Sequence, residues 1–132
     1  MAIPNRFQSG FRLEDGNDLN VALATPQWQT NYGITALGTA RASTTPVLVL
    51  GSNVVTTSTG SNYGVVLPSA VAGSVVYFYN ADSADAVTVF GSASDTINGT
   101  AGATGVSYAA AKRVLFIAVN NGVWIANVLA AS

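Results

Sequence analysis

The middle of this chain contains a stretch of forty residues, 42–81, without a single charged side chain. The stretch is not a membrane span, because Pro46, Gly51 and Pro68 interrupt it and its wholly apolar runs fall far short of the roughly 20 residues that a bilayer requires. A soluble chain that omits charge over such a length buries most of it, in its own core or against a partner. This feature favours a component of an assembly over a free-standing enzyme.

Composition excludes several functional classes. Only 8% of the 132 residues are charged and the net charge is -1, so little charge repulsion opposes self-association. The five scattered Lys and Arg residues cannot form the basic stripe that nucleic-acid binding requires. The chain contains neither cysteine nor histidine, which excludes disulfides, thiolate metal sites and histidine-based catalysis.

The distribution of charge divides the chain into two parts. Five of its eleven charged residues lie in the first twenty positions, where neither a helical nor a strand period is sustained. We therefore predict an extended N-terminal arm over residues 1–33 and a β body over residues 34–132. The start of the chain lacks the apolar core of a secretory signal, so we expect synthesis and assembly in a cytoplasm, without export through a secretory pathway.

The body has the pattern of an all-β domain. Valine, threonine and aromatic residues recur in short runs that are bounded by turn-forming residues. The predicted strands cover residues 47–50, 54–58, 63–67, 74–79, 86–90, 105–108, 112–120 and 123–129. Several short strands at this spacing predict a small antiparallel β-sandwich or barrel of the jelly-roll type. No internal repeat of solenoid length is visible.

Two of the predicted strands form a hairpin whose faces are both apolar. Asn-Asn-Gly at residues 120–122 is typical of a type I′ turn, which places Phe116 and Trp124 on opposite faces. The strand over residues 74–79 is likewise apolar on both sides. A solvent-facing sheet alternates apolar and polar residues, so one face here needs a second sheet, the arm or another subunit. We predict as subunit-interface residues Tyr77, Tyr79, Phe116 and Trp124.

Candidate catalytic and ligand-binding groups are few and dispersed. Lys112 is the only lysine, and its position before an apolar strand is typical of a solvated gatekeeping charge and not of a Ser–Lys dyad. Asp82, Asp85 and Asp95 lie in turn-like segments and are interpreted as turn formers, not as a pair of glycosidase acids. The tryptophans and tyrosines fit core packing better than a sugar-binding platform. We therefore predict no catalytic residue, no metal and no cofactor.

Two segments resemble small structural proteins of tailed bacteriophages. Residues 9–20, Ser-Gly-Phe-Arg-Leu-Glu-Asp-Gly-Asn-Asp-Leu-Asn, resemble the opening of such proteins, and residues 66–128 resemble a β module of phage head-decoration and fibre proteins. The second resemblance rests on Leu67-Pro68, a strand that ends in Asn80, the Asp-Thr-Ile-Asn-Gly turn at 95–99, and Trp124. It implies a capsid decoration (cement) protein, non-enzymatic and trimeric, that lies on the virion surface.

This resemblance leads to a hypothesis for the arm. Three copies would pack their β bodies around a three-fold axis while the arms reach over neighbouring subunits of the major capsid protein. The capsid contacts would come from apolar anchors and two cations in the arm: Arg6, Phe7, Phe11, Arg12, Leu13 and Leu19. A tail, baseplate or fibre adaptor and a carbohydrate-binding adhesin are the alternatives. Neither a nucleic-acid nor a membrane partner is expected.

Overall fold

The computed structural model describes residues 28–43 and 45–130 of the chain. All of the regular elements in these residues are β-strands, which confirms the all-β class. The strands are β1 (Gln29–Ala36), β2 (Gly51–Ser58), β3 (Tyr63–Val66), β4 (Val75–Asn80), β5 (Val87–Phe90), β6 (Thr96–Ile97), β7 (Thr100–Ala101), β8 (Val106–Tyr108), β9 (Arg113–Asn120) and β10 (Val123–Leu129).

The strands form two mixed sheets. In the seven-stranded sheet the order is β1-β2-β4-β9-β10-β6-β7, with β1, β2 and β4 parallel and β9 antiparallel to both of its neighbours. In the three-stranded sheet β5 pairs in parallel with β3 and antiparallel with β8. The prediction of a purely antiparallel fold is therefore wrong, and the arrangement is solenoid-like, not clearly a sandwich or a barrel.

The parallel strands stack as successive coils. In register, β4 follows β2 by 25 residues, since Gly51 lies beside Val76, and β5 follows β3 by 24, since Tyr63 lies beside Val87. Side chains in the turns also bridge the coils, because the Ser61 hydroxyl donates a 2.8 Å hydrogen bond to Asp85. No repeat appears in the sequence because the two coils share positions but not residue types.

The core lies between the two sheets. Phe78 and Phe116 from the seven-stranded sheet and Tyr108 from the three-stranded sheet form an aromatic cluster with ring centroids 5.9 to 6.4 Å apart. Tilted and edge-on contacts of this kind stabilise a core beyond the area that they bury. The largest fully buried side chain is Trp124, which completes the core at β10.

The C-terminal hairpin has a different register from the predicted one. At the turn only Gly122 has a positive φ, of 78°, whereas a type I′ turn requires two such residues. The register shifts by one residue after Val123, so that Trp124 lies opposite Ala118. A shift of one residue exchanges the faces of all side chains beyond it.

This shift corrects the prediction for two interface residues. Phe116 and Trp124 lie on the same, inward face, and both are 0% exposed in the single chain. They fill the core and have no surface to offer to another subunit, so their prediction as interface residues is wrong. The same shift turns Ile125 outward, where it is 36% exposed.

Candidate interaction surface

The seven-stranded sheet has an apolar face on the side away from the core. In β4 the buried residues alternate with half-buried ones, and the half-buried ones point away from the core. The same alternation holds in β9. We call the outer face the apolar residues on this side of β1, β2, β4, β9 and β10, namely Tyr32, Val54, Val75, Tyr77, Tyr79, Leu115, Ile117, Ile125 and Leu129.

The strand register makes the outer face continuous. One row crosses five adjacent strands and consists of Tyr32, Val54, Tyr79, Arg113 and Leu129. A second row consists of Val75, Ile117 and Ile125. Tyr77 and Leu115 are paired between these rows. Directly opposed side chains on one face of a sheet are in contact distance, so the outer face is a single patch.

The outer face carries almost no charge. Within its two rows the only charged residue is Arg113, the first residue of β9. Its guanidinium carbon lies 4.5 Å from the centroid of the Tyr79 ring, a cation–π contact that occupies the cation within the chain. The rows contain no carboxylate. Ser52 and Asn127 lie on the same side, paired with Tyr77 and Leu115, so contacts made through this face combine apolar and aromatic groups with a few neutral polar ones.

A groove of about 440 Å³ adjoins the outer face and shares Val75 with it. Its walls are Trp28, Leu50, Gly51 and residues 72–74. Trp28 is 50% exposed although indole is among the largest apolar groups in proteins. The groove therefore extends the apolar surface toward the start of β1.

None of the predicted arm contacts belongs to the part of the chain that the structure describes. Arg6, Phe7, Phe11, Arg12, Leu13 and Leu19 lie outside the described residues. β1 runs across residue 33, the predicted end of the arm, and pairs with β2 along its length.

The predicted interface residues divide between the two sides of the sheet. Tyr77 and Tyr79 are half-buried on the outer face, whereas Phe116 and Trp124 belong to the core. Sequence reasoning did not single out Leu115, Ile117 and Ile125, although it recognised that both faces of the hairpin are apolar. The missing information was the register shift near the turn, which decides which side of β10 faces the core.

Of the aspartates in the described residues, Asp82 acts as a turn former, whereas Asp85 and Asp95 accept hydrogen bonds from residues 24 and 25 positions away. The Asp82 carboxylate accepts backbone N–H groups from Asp85, Ala84 and Ser58, and these bonds, Asp85 first, hold its pKa below the usual value. Asp95 is buried and accepts the Ala70 N–H at 2.8 Å. Residues 28–43 and 45–130 contain no cluster of three or more acidic, His or Cys side chains that could hold a metal ion.

Comparisons with known proteins leave the surface to be interpreted from its own geometry. Scans of family models, of curated proteins and of solved structures found no match to this chain. In the described part of the chain, no helix has the length and hydropathy needed to cross a bilayer.

Proposed function

We propose that this chain is a capsid decoration (cement) protein of a tailed bacteriophage. It binds the outer surface of the assembled head and stabilises the shell by bridging subunits of the major capsid protein. In this role it is a structural protein, not an enzyme, and it works as a homotrimer. The observation that carries the proposal is the outer face, an apolar surface that spans five adjacent strands.

Such a surface is unusual for a protein that works alone. Monomeric soluble proteins rarely expose contiguous apolar patches above a few hundred Å², and larger patches are typical of interaction sites. The chain also has only 8% charged residues, so its surface offers little repulsion against close packing with other chains. The resemblance of residues 9–20 and 66–128 to phage structural proteins supports the virion as the assembly.

We assign the capsid contacts to the N-terminal arm that the sequence predicts. Phe7, Phe11, Leu13 and Leu19 supply apolar anchors, and burial of apolar area contributes roughly 25 cal/mol per Å² before the costs of ordering and association. Arg6 and Arg12 pair with acidic groups of the capsid. Three arms on one trimer raise the effective concentration at each site, so weak single contacts give tight attachment.

The shell is stabilised because the protein attaches only to the assembled shell and not to free capsid subunits. A protein that binds the assembled state but not the free capsid subunits shifts the equilibrium toward the shell by mass action. The stabilisation grows with the concentration of the decoration protein relative to its dissociation constant. The shell then resists the outward pressure of the packaged DNA.

Deletion of residues 1–20 tests the proposal. The deleted protein and the full chain are incubated with phage heads that lack this protein, and bound protein is measured after sedimentation. We expect the full chain to sediment with the heads and the deleted protein to stay in solution, with an unchanged circular dichroism spectrum and melting temperature. Binding that survives the deletion contradicts the arm assignment.

A pair of matched variants sharpens the test. Phe11→Ala removes an apolar anchor, whereas Gln8→Ala alters a neighbouring polar residue of the same arm. Only the first should weaken binding to the heads. Quantitative mass spectrometry of purified particles tests the location, because a head protein has a copy number comparable to that of the major capsid protein. A few copies confined to isolated tails would instead identify a tail adaptor.

A further inference from the structure

We propose that residues 21–27 of this chain cover the first coil of the stack and hold the base of the arm against the body. The surface that they cover, which we call the open end, consists of Trp28, Leu37, Val47 and Leu50. The inference goes beyond the proposed function and does not depend on capsid binding. It leaves residues 1–20 as the part of the arm that is available to the capsid.

The order of the coils leads residues 21–27 to this place. In the chain, β4 is preceded by β3, and β2 is preceded by residues 46–48, which lie beside β3 at Val66. Each of these parallel strands therefore follows a segment that belongs to the smaller sheet. β1 begins one residue after Trp28, so the segment in the equivalent position before it is residues 21–27. The same path carries these residues past residues 46–48.

The backbone at the open end offers hydrogen bonds to one more extended segment. The Pro46 carbonyl accepts the Val66 N–H at 2.8 Å, and the Leu48 N–H donates to the Val66 carbonyl at 2.8 Å. Because backbone groups alternate sides along a strand, the N–H and carbonyl of Val47 point away from β3. Within residues 28–43 and 45–130 no strand pairs with that side. An edge of this kind selects an extended chain as its partner, since only a strand can pair with it.

The side chains at the open end are apolar and exposed. Val47 is 59% exposed, Trp28 is 50% exposed and Leu50 is 44% exposed. Leu37, whose N–H donates to the Gly64 carbonyl on β3 at 3.1 Å, is 39% exposed. The terminal coils of solenoids require a polar outer face for solubility. An end coil with an apolar surface therefore needs a cover.

The sequence of residues 21–27, Val-Ala-Leu-Ala-Thr-Pro-Gln, suits this position. Val21 and Leu23 alternate with alanines, which is the pattern of a strand with one buried face. The segment is uncharged, whereas all five charged residues of the first twenty precede residue 19. The change from a charged to an uncharged sequence therefore marks where the arm meets the body.

Covalent linkage selects this segment over any other chain. Gln27 is joined directly to Trp28, whose side chain is a wall of the groove described above. Seven extended residues span about 23 Å, whereas packed sheets lie about 10 Å apart, so the segment can reach from the larger sheet to Val47. Its effective concentration at the open end is on the order of millimolar, and it avoids the entropy cost of association that a separate chain must meet.

Paired cysteines in the full chain test the placement, because the chain contains no cysteine of its own. Ala24→Cys is combined with Val47→Cys, and the control combines Ser9→Cys with Val47→Cys. With a short bis-maleimide at low protein concentration, we expect a link within one chain for the first pair and none for the control. Intact-mass and peptide mass spectrometry identify the link. Equal yields for the two pairs contradict the inference, and so does a link between two chains, which would assign the open end to a neighbouring copy.

A charge substitution provides the second readout. Leu23→Asp places a carboxylate in the covering segment, and Leu13→Asp makes the same change in the part of the arm left to the capsid. We expect only Leu23→Asp to lower the melting temperature, by about 4 °C or more, and to shift the emission of Trp28 to longer wavelengths. Trp124 is fully buried and should contribute equally in both variants. Equal melting temperatures and spectra contradict the inference.

These measurements are made without phage heads, so the two proposals fail separately. A protein that forms the link within one chain but does not bind heads supports this inference and contradicts the proposed function. Heads that bind the full chain, when Ala24→Cys and Val47→Cys do not link, support the proposed function and contradict this inference. If Leu23→Asp does not fold, the cysteine pairs still decide the question.

Discussion

Replacement of Phe116 by alanine tests which side of the C-terminal hairpin faces the core. Phe116 is 0% exposed, and its ring contacts Tyr108 with centroids 5.9 Å apart and Phe78 with centroids 6.4 Å apart. Truncation removes a fully buried ring from both contacts and leaves a cavity between the sheets. Phe→Ala changes at such positions destabilise proteins by about 3–5 kcal/mol. At this chain length the melting temperature should fall by roughly 10–20 °C.

Urea denaturation followed by tryptophan fluorescence measures this cost, with all variants at the same protein concentration because association also affects stability. Ile125→Ala is the matched control, since it removes an apolar side chain from the outward side of the same hairpin. It should lower the free energy of unfolding by about 1 kcal/mol or less in the monomer. A Phe116→Ala cost below about 1 kcal/mol, or equal costs for both variants, would refute the assignment of Phe116 to the core.

Three further predictions follow from single contacts. Gly102→Ala would place a Cβ 2.7 Å from the Gly91 Cα, and thermal melts should show a loss of stability of about 2 kcal/mol or more. In the control Gly60→Ala the added Cβ meets only the side-chain ring of Tyr63 at 3.3 Å, so this variant should be tolerated. Burial raises the pKa of Tyr108 to about 12, so the folded state holds the phenol proton more tightly than the unfolded chain does. The contribution of this proton to the free energy of unfolding is present below pH about 10 and is lost as the pH rises toward 12. The urea midpoint should therefore fall less across this range in Tyr108→Phe than in the unchanged protein. The pKa of Asp82 is lowered, so the stability that its carboxylate contributes to the fold is present above the usual carboxyl pKa and is lost as the pH falls through the lowered value. In an acid titration Asp82→Asn should therefore lose stability less steeply than the unchanged protein.

Strand positions could be predicted because their signals are local. The predicted strand over residues 123–129 coincides with β10, and the one over 112–120 begins one residue before β9. Apolar and β-branched runs bounded by glycine and asparagine indicate a strand whatever it pairs with. β1 was not predicted, because Gln29, Thr30 and Asn31 break the alternation of apolar and polar residues that indicates a strand. The segment is a strand because it pairs with β2, which its own residues do not indicate.

The pairing of the strands, and which of their side chains face the core, could not be predicted, because both depend on contacts between residues that are far apart in the sequence. Parallel stacking at offsets of 24 and 25 residues is carried by backbone hydrogen bonds and by turn contacts such as Ser61 to Asp85, neither of which requires a repeated sequence. The inward position of Trp124 depends on a shift of one residue in the register beside Gly122. The sequence could therefore show that both sides of the hairpin are apolar but not which residues form the outer face.

The account depends on the claim that the outer face is covered by other chains and not by water. Sedimentation velocity of the full chain, from low to high micromolar concentration and without phage heads, tests this claim most directly. We predict a species with three times the 13.4 kDa mass of one chain. A homogeneous 13.4 kDa species that stays soluble across the whole range would contradict it.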